Sequence, residues 1–226
     1  TPTHPRNRRV KKIYNSSGKL LALDFDRDDS NETLIIFHGR DRNAGYRNYF
    51  SRIFGKKSRL IVIEYPGFGE NFKEPLNKKN IIKHCHEAML HILSTINGPF
   101  TIVGESLGTG IASEMASYYK MEKLILITPY AALSDLAKNR FWFLPTKTLL
   151  RENYDSLKNL ENYQGQVLFI ISELDQLIPA KFGKKLLNGF EGLKQEIFVL
   201  GADHYTWWEK MTEKQKQIFR NFYEHS

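Results

Sequence analysis

A serine, a histidine and an acid, widely separated along the chain, define the chemistry that this sequence can support. Ser106 stands in Gly104-Glu105-Ser106-Leu107-Gly108, His204 in Gly201-Ala202-Asp203-His204, and Asp175 in Ser172-Glu173-Leu174-Asp175. A serine hydroxyl is a weak nucleophile at neutral pH and needs an adjacent base. A neutral imidazole can take its proton, and a carboxylate can fix the tautomer of that imidazole and stabilise the cation formed. His204 lies at a late strand end, unlike the other histidines. Glu173 shares a strand end with Asp175 and competes with it as the acid. Asp203 is read as loop-stabilising, because the side chains of sequence neighbours seldom face one another.

Positioning these groups takes a particular set of elements. Residues 100–103 form a short apolar, β-branched run bounded by Asn97-Gly98-Pro99 and Gly104, as in a buried strand. From 107 to 119 the apolar spacing becomes helical, with Leu107, Ile111, Met115 and Tyr118 three or four residues apart. The Gly-x-Ser-x-Gly pentapeptide therefore falls on a tight strand-to-helix turn that lifts the Ser106 hydroxyl above the sheet. There the free amide of Leu107 and the positive end of the helix favour a developing oxyanion. Residues 33–38 form a nearly continuous apolar strand ending in His38-Gly39-Arg40. His38 is read as ordering that loop, and the Arg40 amide as the partner of the Leu107 amide in an oxyanion hole.

Around them, residues 10–14 and 20–26 read as an antiparallel hairpin about Asn15-Ser16-Ser17-Gly18. Further strands are expected at 60–65, 123–127, 166–171 and 196–200, and helices at 44–54, 79–96, 180–187 and 207–223. This alternation implies a mostly parallel sheet with helices on both faces, in a single domain spanning 1–226. Residues 130–163 interrupt it with an aromatic-bearing insert placed to cap the site. Within it, Phe141, Trp142 and Phe143, together with Leu149-Leu150, suggest an apolar pocket for an acyl chain.

The 226 residues are 41% hydrophobic and 26% charged, ordinary values for a globular domain. No apolar run approaches the roughly 18 residues that span a bilayer. Cys85 is the only cysteine, so there is no intrachain disulfide, which fits a reducing compartment. The expectation is a cytoplasmic protein with room for peripheral membrane contact. The numbering begins at a threonine, which leaves open a removed leader or anchor. The formal net charge of +8 and the cations Arg6, Arg8, Arg9, Lys11 and Lys12 in the tail 1–12 could serve an anionic membrane surface, but the stretch reads first as a solvated, disordered tail. Nothing resembles a nucleic-acid-reading module, so no nucleic acid partner is expected. His84, Cys85, His86, Glu87 and His91 crowd the helix 79–96, but His84 and His86 point away from each other. A polar helix face with one buried cysteine accounts for them, and neither metal nor other cofactor is expected.

With these residues placed, the chain resembles the α/β-hydrolase superfamily over nearly its whole length. The resemblance rests on His38-Gly39, Tyr65-Pro66-Gly67-Phe68-Gly69, the Ser106 pentapeptide, Asp175 with Ile178-Pro179, and Gly201 to His204 followed by Trp207-Trp208. The chain order Ser, Asp, His is the one this superfamily uses. The Asp-x-x-Ile-Pro run favours Asp175 over Glu173. Within the superfamily the chain is similar to short-cap serine hydrolases, the monoacylglycerol-lipase-like and protein-depalmitoylase-like members. Phe143-Leu144-Pro145 through Tyr154-Asp155-Ser156-Leu157 resembles the insert of that branch. Two departures are Glu64, where those relatives commonly place Asp, and Arg40, where a small or amide residue is common. The resemblance implies a serine esterase or thioesterase acting on a small-molecule or lipid-like acyl substrate. The rival readings are a non-catalytic binding or scaffold protein at an anionic surface, and an acyltransferase built on the same three side chains.

Overall fold

The computed structural model describes residues 10–25, 30–41, 43–55, 58–138 and 154–224. The chain starts with β1 (Val10–Tyr14) and β2 (Leu20–Phe25), paired antiparallel. Asn15 closes their turn, its side-chain oxygen accepting from the amides of Ser17 and Lys19 at 3.1 and 2.8 Å. Six strands follow: β3 (Glu32–Phe37), β4 (Ser58–Ile63), β5 (Phe100–Glu105), β6 (Lys123–Ile127), β7 (Gln166–Ser172) and β8 (Lys194–Val199). Among the described residues they complete an eight-stranded sheet of order β1-β2-β4-β3-β5-β6-β7-β8. β2 runs antiparallel to β4, and every pairing from β4 through β8 is parallel.

The near-continuous apolar strands follow from burial on both faces. Along β3, Ile35 and Phe37 enter one apolar cluster while Leu34 and Ile36 enter the other. This is the two-residue alternation of strand side chains. The first cluster is covered by α2 (Lys78–Thr95), α3 (Gly108–Tyr118) and, after α4 (Leu133–Lys138) and α5 (Ser156–Asn159), by α6 (Ala180–Gly189). The second is covered by the segment 44–54 and by α7 (Trp207–Lys210) and α8 (Glu213–Tyr223). In α2, Ile81, Cys85, Ala88, Met89 and Ile92 face inward at helical spacing, and the Asn77 side chain caps the start by accepting from the Asn80 amide.

Three elements differ from the sequence expectation. Residues 44–54 form a 3₁₀ turn, Ala44–Tyr49, capped by Asn43, and then one α turn, α1 (Phe50–Ile53). Gly55, at φ +72°, follows directly and leads out of the helix. The closing helix is two helices. Met211 takes an extended conformation, and Thr212 with Gln215 forms a reciprocal capping box that starts α8 afresh. His84 is buried together with Cys85, so that face of α2 is less polar than its sequence suggests. Of the insert 130–163, α4, α5 and the bridge between Ala132 and Asp155 are described, whereas 139–153 lie outside the described residues. Phe141, Trp142, Phe143 and residues 1–9 of the basic tail lie outside them as well.

Candidate active site

Parallel strands β3 through β8 all end on the same edge of the sheet, and the chemically capable side chains gather there. β5 delivers Ser106 directly into α3. Ser106 adopts φ +54°, a left-handed conformation uncommon for a residue with a side chain and the mark of a strained elbow. The elbow is pinned on both sides, by the Ser106 amide donating to the Ile127 carbonyl at 2.9 Å and by the Thr109 amide donating to the Ser106 carbonyl at 3.0 Å. Its glycines answer to close approach. A Cβ on Gly104 would lie 2.7 Å from the Ala112 Cβ, and one on Gly108 would lie 2.1 Å from the Phe37 carbonyl oxygen.

The Ser106 hydroxyl oxygen lies 3.0 Å from His204 Nε2, and His204 Nδ1 lies 2.7 Å from Asp175 Oδ2. Residues 98 and 29 positions apart in the chain thus form one hydrogen-bonded line. Asp175 is buried, and its other oxygen accepts from the amides of Leu177 and Ile178 at 2.8 Å each, which leaves Oδ2 for the histidine. Glu173 is exposed and accepts from the Gly201 amide at 2.8 Å, so it steadies the His204 loop from outside. Asp203 is turned into its own loop, accepting from the amides of Tyr205 and Thr206. Such a line can carry the hydroxyl proton of Ser106 to an imidazole whose orientation is already set.

The loop after β3 abuts the elbow: a Cβ on Gly39 would lie 3.1 Å from the Ser106 Cβ. Among the described residues, neither the Arg40 amide nor the Leu107 amide donates to another backbone carbonyl. His38 is fully buried and stacked on Tyr65, with ring centroids 4.2 Å apart. Its Nδ1 lies 2.6 Å from the Gly39 carbonyl oxygen, which can only accept, so Nδ1 carries the proton of a neutral ring. Burial, reinforced by the Arg47 charge, pushes the His38 imidazole down to about 3. Burial likewise pushes the Glu64 carboxyl up to about 7, with Oε1 3.8 Å from His38 Nε2. The longer side chain at 64 reaches beneath Gly69, where a Cβ would lie 2.2 Å from Glu64 Oε2.

A further group has no local signature in the sequence. Glu105, inside the Ser106 pentapeptide, forms an ion pair with the buried Arg47 at 2.7 Å and accepts from the Gly39 amide at 3.2 Å. The Tyr49 hydroxyl donates to its other oxygen. Arg47 and Tyr49 fall in the segment expected to be a covering helix, and nothing in their spacing pairs them with Glu105.

Elsewhere, burial lowers the His84 imidazole to about 4, and His86 Nδ1 sits 3.1 Å from the Tyr119 hydroxyl. Among the described residues, no three His, Cys, Asp or Glu side chains come together in a way that could hold a metal ion. No helix among them is long and apolar enough to cross a membrane.

A mostly parallel sheet with helices on both faces and a serine elbow between its fifth strand and the following helix defines the α/β-hydrolase fold, and this chain has it. A Pyrococcus furiosus esterase superposes with a TM-score of 0.72 at 13% identity, covering 96% of this chain and 91% of that one. In sequence, the chain is 28% identical over 182 residues to an uncharacterized protein of Mycobacterium tuberculosis, covering 77% of this chain and 63% of that protein. It is 23% identical over 199 residues to the lysophosphatidylserine lipase ABHD12 of Bos taurus, covering 77% of this chain and 49% of that enzyme. The chain thus spans less than two thirds of the length of these curated relatives. No family model matches it.

Proposed function

We propose that the protein is a serine hydrolase that cleaves carboxylic esters or thioesters through an acyl-enzyme on Ser106. The observation that carries this reading is the line from Ser106 Oγ to His204 Nε2 at 3.0 Å and from His204 Nδ1 to Asp175 Oδ2 at 2.7 Å. Ser106 Oγ attacks the acyl carbonyl carbon while its proton passes to His204 Nε2. The resulting oxyanion rests against the Arg40 and Leu107 amides. Collapse breaks the bond to the alcohol or thiol, which leaves with the proton from His204. Water, deprotonated by the same imidazole, then attacks the acyl-enzyme and releases the acid and free Ser106. Asp175 orients the imidazole throughout.

An acyl-chain substrate is the class we favour, supported by the aromatic and leucine-rich insert in the sequence and by the lipase and esterase names of the similar proteins. The test is labelling by a fluorophosphonate probe, together with hydrolysis of p-nitrophenyl esters of increasing chain length. Wild type is expected to label and to turn over the longer esters better, and Ser106→Ala to do neither. A folded wild type that takes no label overturns the enzymatic reading and favours a scaffold. Turnover confined to acetyl esters overturns the acyl-chain assignment alone.

A further inference from the structure

We propose that Arg47, braced by Glu105 and Tyr49, is a positioning residue that holds the Gly39–Arg40 peptide so that the Arg40 N–H faces the oxyanion. This inference rests on the serine hydrolase reading above and names the device that keeps its oxyanion site preformed.

The reason lies in the peptide unit itself. The Gly39 carbonyl and the Arg40 N–H belong to one planar trans peptide, so they point in opposite directions. Whatever fixes the carbonyl fixes the amide. Two donors engage the Gly39 carbonyl oxygen, His38 Nδ1–H at 2.6 Å and Arg47 Nη2 at 3.3 Å. The preceding peptide is held as well, its carbonyl accepting from the Tyr65 hydroxyl at 3.2 Å and its N–H donating to Glu105 Oε2 at 3.2 Å. With the carbonyl drawn toward His38 and Arg47, the Arg40 amide is turned the other way, in a loop whose glycine already lies against Ser106.

A flip of this peptide would replace a donor with a carbonyl oxygen, turning a site that stabilises negative charge into one that repels it. Glycine at 39 adds little resistance of its own, because its backbone is the least restricted of all residues. Arg47 supplies the resistance. It is buried, so it does not swing away into water, and its Nε lies 2.7 Å from Glu105. Glu105 in turn is the residue immediately before the nucleophile. The nucleophile turn and the oxyanion loop are thereby tied through one carboxylate, and a shift of either carries the other along.

The experiment compares wild type, Arg47→Lys, Arg47→Ala and Tyr49→Phe in three measurements: kcat and KM on a p-nitrophenyl ester, affinity for a trifluoromethyl ketone, and thermal midpoint. Attack of Ser106 on the ketone forms a hemiketal oxyanion, so its affinity reports the same site as the transition state. Arg47→Ala is expected to lower kcat by about 10²-fold, the scale for losing one oxyanion donor, with KM little changed. The ketone affinity should fall by a similar factor, and Arg47→Lys should recover part of both. Should Arg47→Ala fail to fold, Tyr49→Phe removes only one hydroxyl from Glu105, and a several-fold loss of kcat matched by the ketone supports the clamp. Unchanged kcat in every variant overturns it, as does a loss that appears in KM or thermal midpoint while ketone affinity stays at the wild-type value. Absence of wild-type turnover, or turnover retained by Ser106→Ala, would instead overturn the hydrolase reading on which the clamp rests.

Discussion

At Asp175 the two carboxylate oxygens have separate tasks, and that division makes a sharp prediction. Oδ1 accepts from the amides of Leu177 and Ile178, and only Oδ2 faces His204. In Asp175→Asn the side-chain oxygen stays on the two amides, because the NH₂ group cannot accept from them. The NH₂ then faces His204 Nδ1, which must give up its proton, and the ring proton moves to Nε2 opposite the Ser106 hydroxyl. The imidazole keeps its place and loses its basic nitrogen. The expected outcome is a fall in kcat of about 10⁴-fold with the fold intact by circular dichroism, the scale seen when the same reversal is imposed on a serine protease. A kcat within tenfold of wild type would show that Asp175 does not govern the tautomer. Glu173→Gln, outside this line, serves as the matched control.

Among the elements, α8 rests on its own start signal. Thr212 accepts from the Gln215 amide at 3.2 Å, and Gln215 Oε1 accepts from the Thr212 amide at 2.9 Å. Gln215 also donates to the Phe198 carbonyl at 2.8 Å, which ties the new helix to β8. From that start, Phe219, Phe222 and Tyr223 are presented to the second apolar cluster, where the Tyr223 hydroxyl donates to the Phe54 carbonyl. Thr212→Ala removes one cap acceptor and is expected to cost about 1 kcal/mol. In a chain of this size that is a drop of about 2–4 °C in thermal midpoint. The kcat of the proposed hydrolase should not change, since among the described residues no hydrogen bond joins α8 to Ser106, Asp175 or His204. An unchanged thermal midpoint would mean that packing of the aromatic face alone defines the helix start.

For the molecule as a whole, the most telling charge is one that the sheet keeps neutral. Glu32 is buried at the amino end of β3, opposite to the site, with Thr101 donating to it at 2.9 Å. Desolvation raises its carboxyl from 4.5 to about 7, against smaller opposing effects of Thr101 and Lys123. Between those two values the folded state holds a proton that the unfolded chain has lost. The contribution of Glu32 to stability therefore falls as pH rises from about 4.5 toward 7 and levels off above that. Glu32→Gln keeps the acceptor for Thr101 and has no charge to desolvate. It should raise the thermal midpoint at pH 8 and leave it unchanged at pH 4, while the proposed hydrolase activity stays constant. A difference that does not vary with pH would sink the assignment.

The sequence by itself determined whatever depends on neighbours a few residues away. The glycines around Ser106, the run of β-branched residues before it and the helical spacing after it describe the elbow, because backbone sterics act locally. The apolar strands and the Asn15 turn were legible for the same reason. The order Ser106, Asp175, His204 was legible too, as three strand ends on one edge of a parallel sheet. Only the tertiary structure decided which distant groups meet. Tyr49 and Glu105 stand 56 residues apart, and no periodicity couples them. They meet because β3 and β5 are adjacent parallel strands whose carboxyl ends bring the two loops together. The burial of His84 was hidden likewise, since it is settled by what packs against the segment and not by its own residues. The break at Met211, by contrast, is marked locally by Thr212 and Gln215, three residues apart, and was masked by the helical apolar spacing of 207–223. Spacing along a chain sets local shape, whereas a hydrogen bond or ion pair between remote residues depends on the layering of the whole sheet.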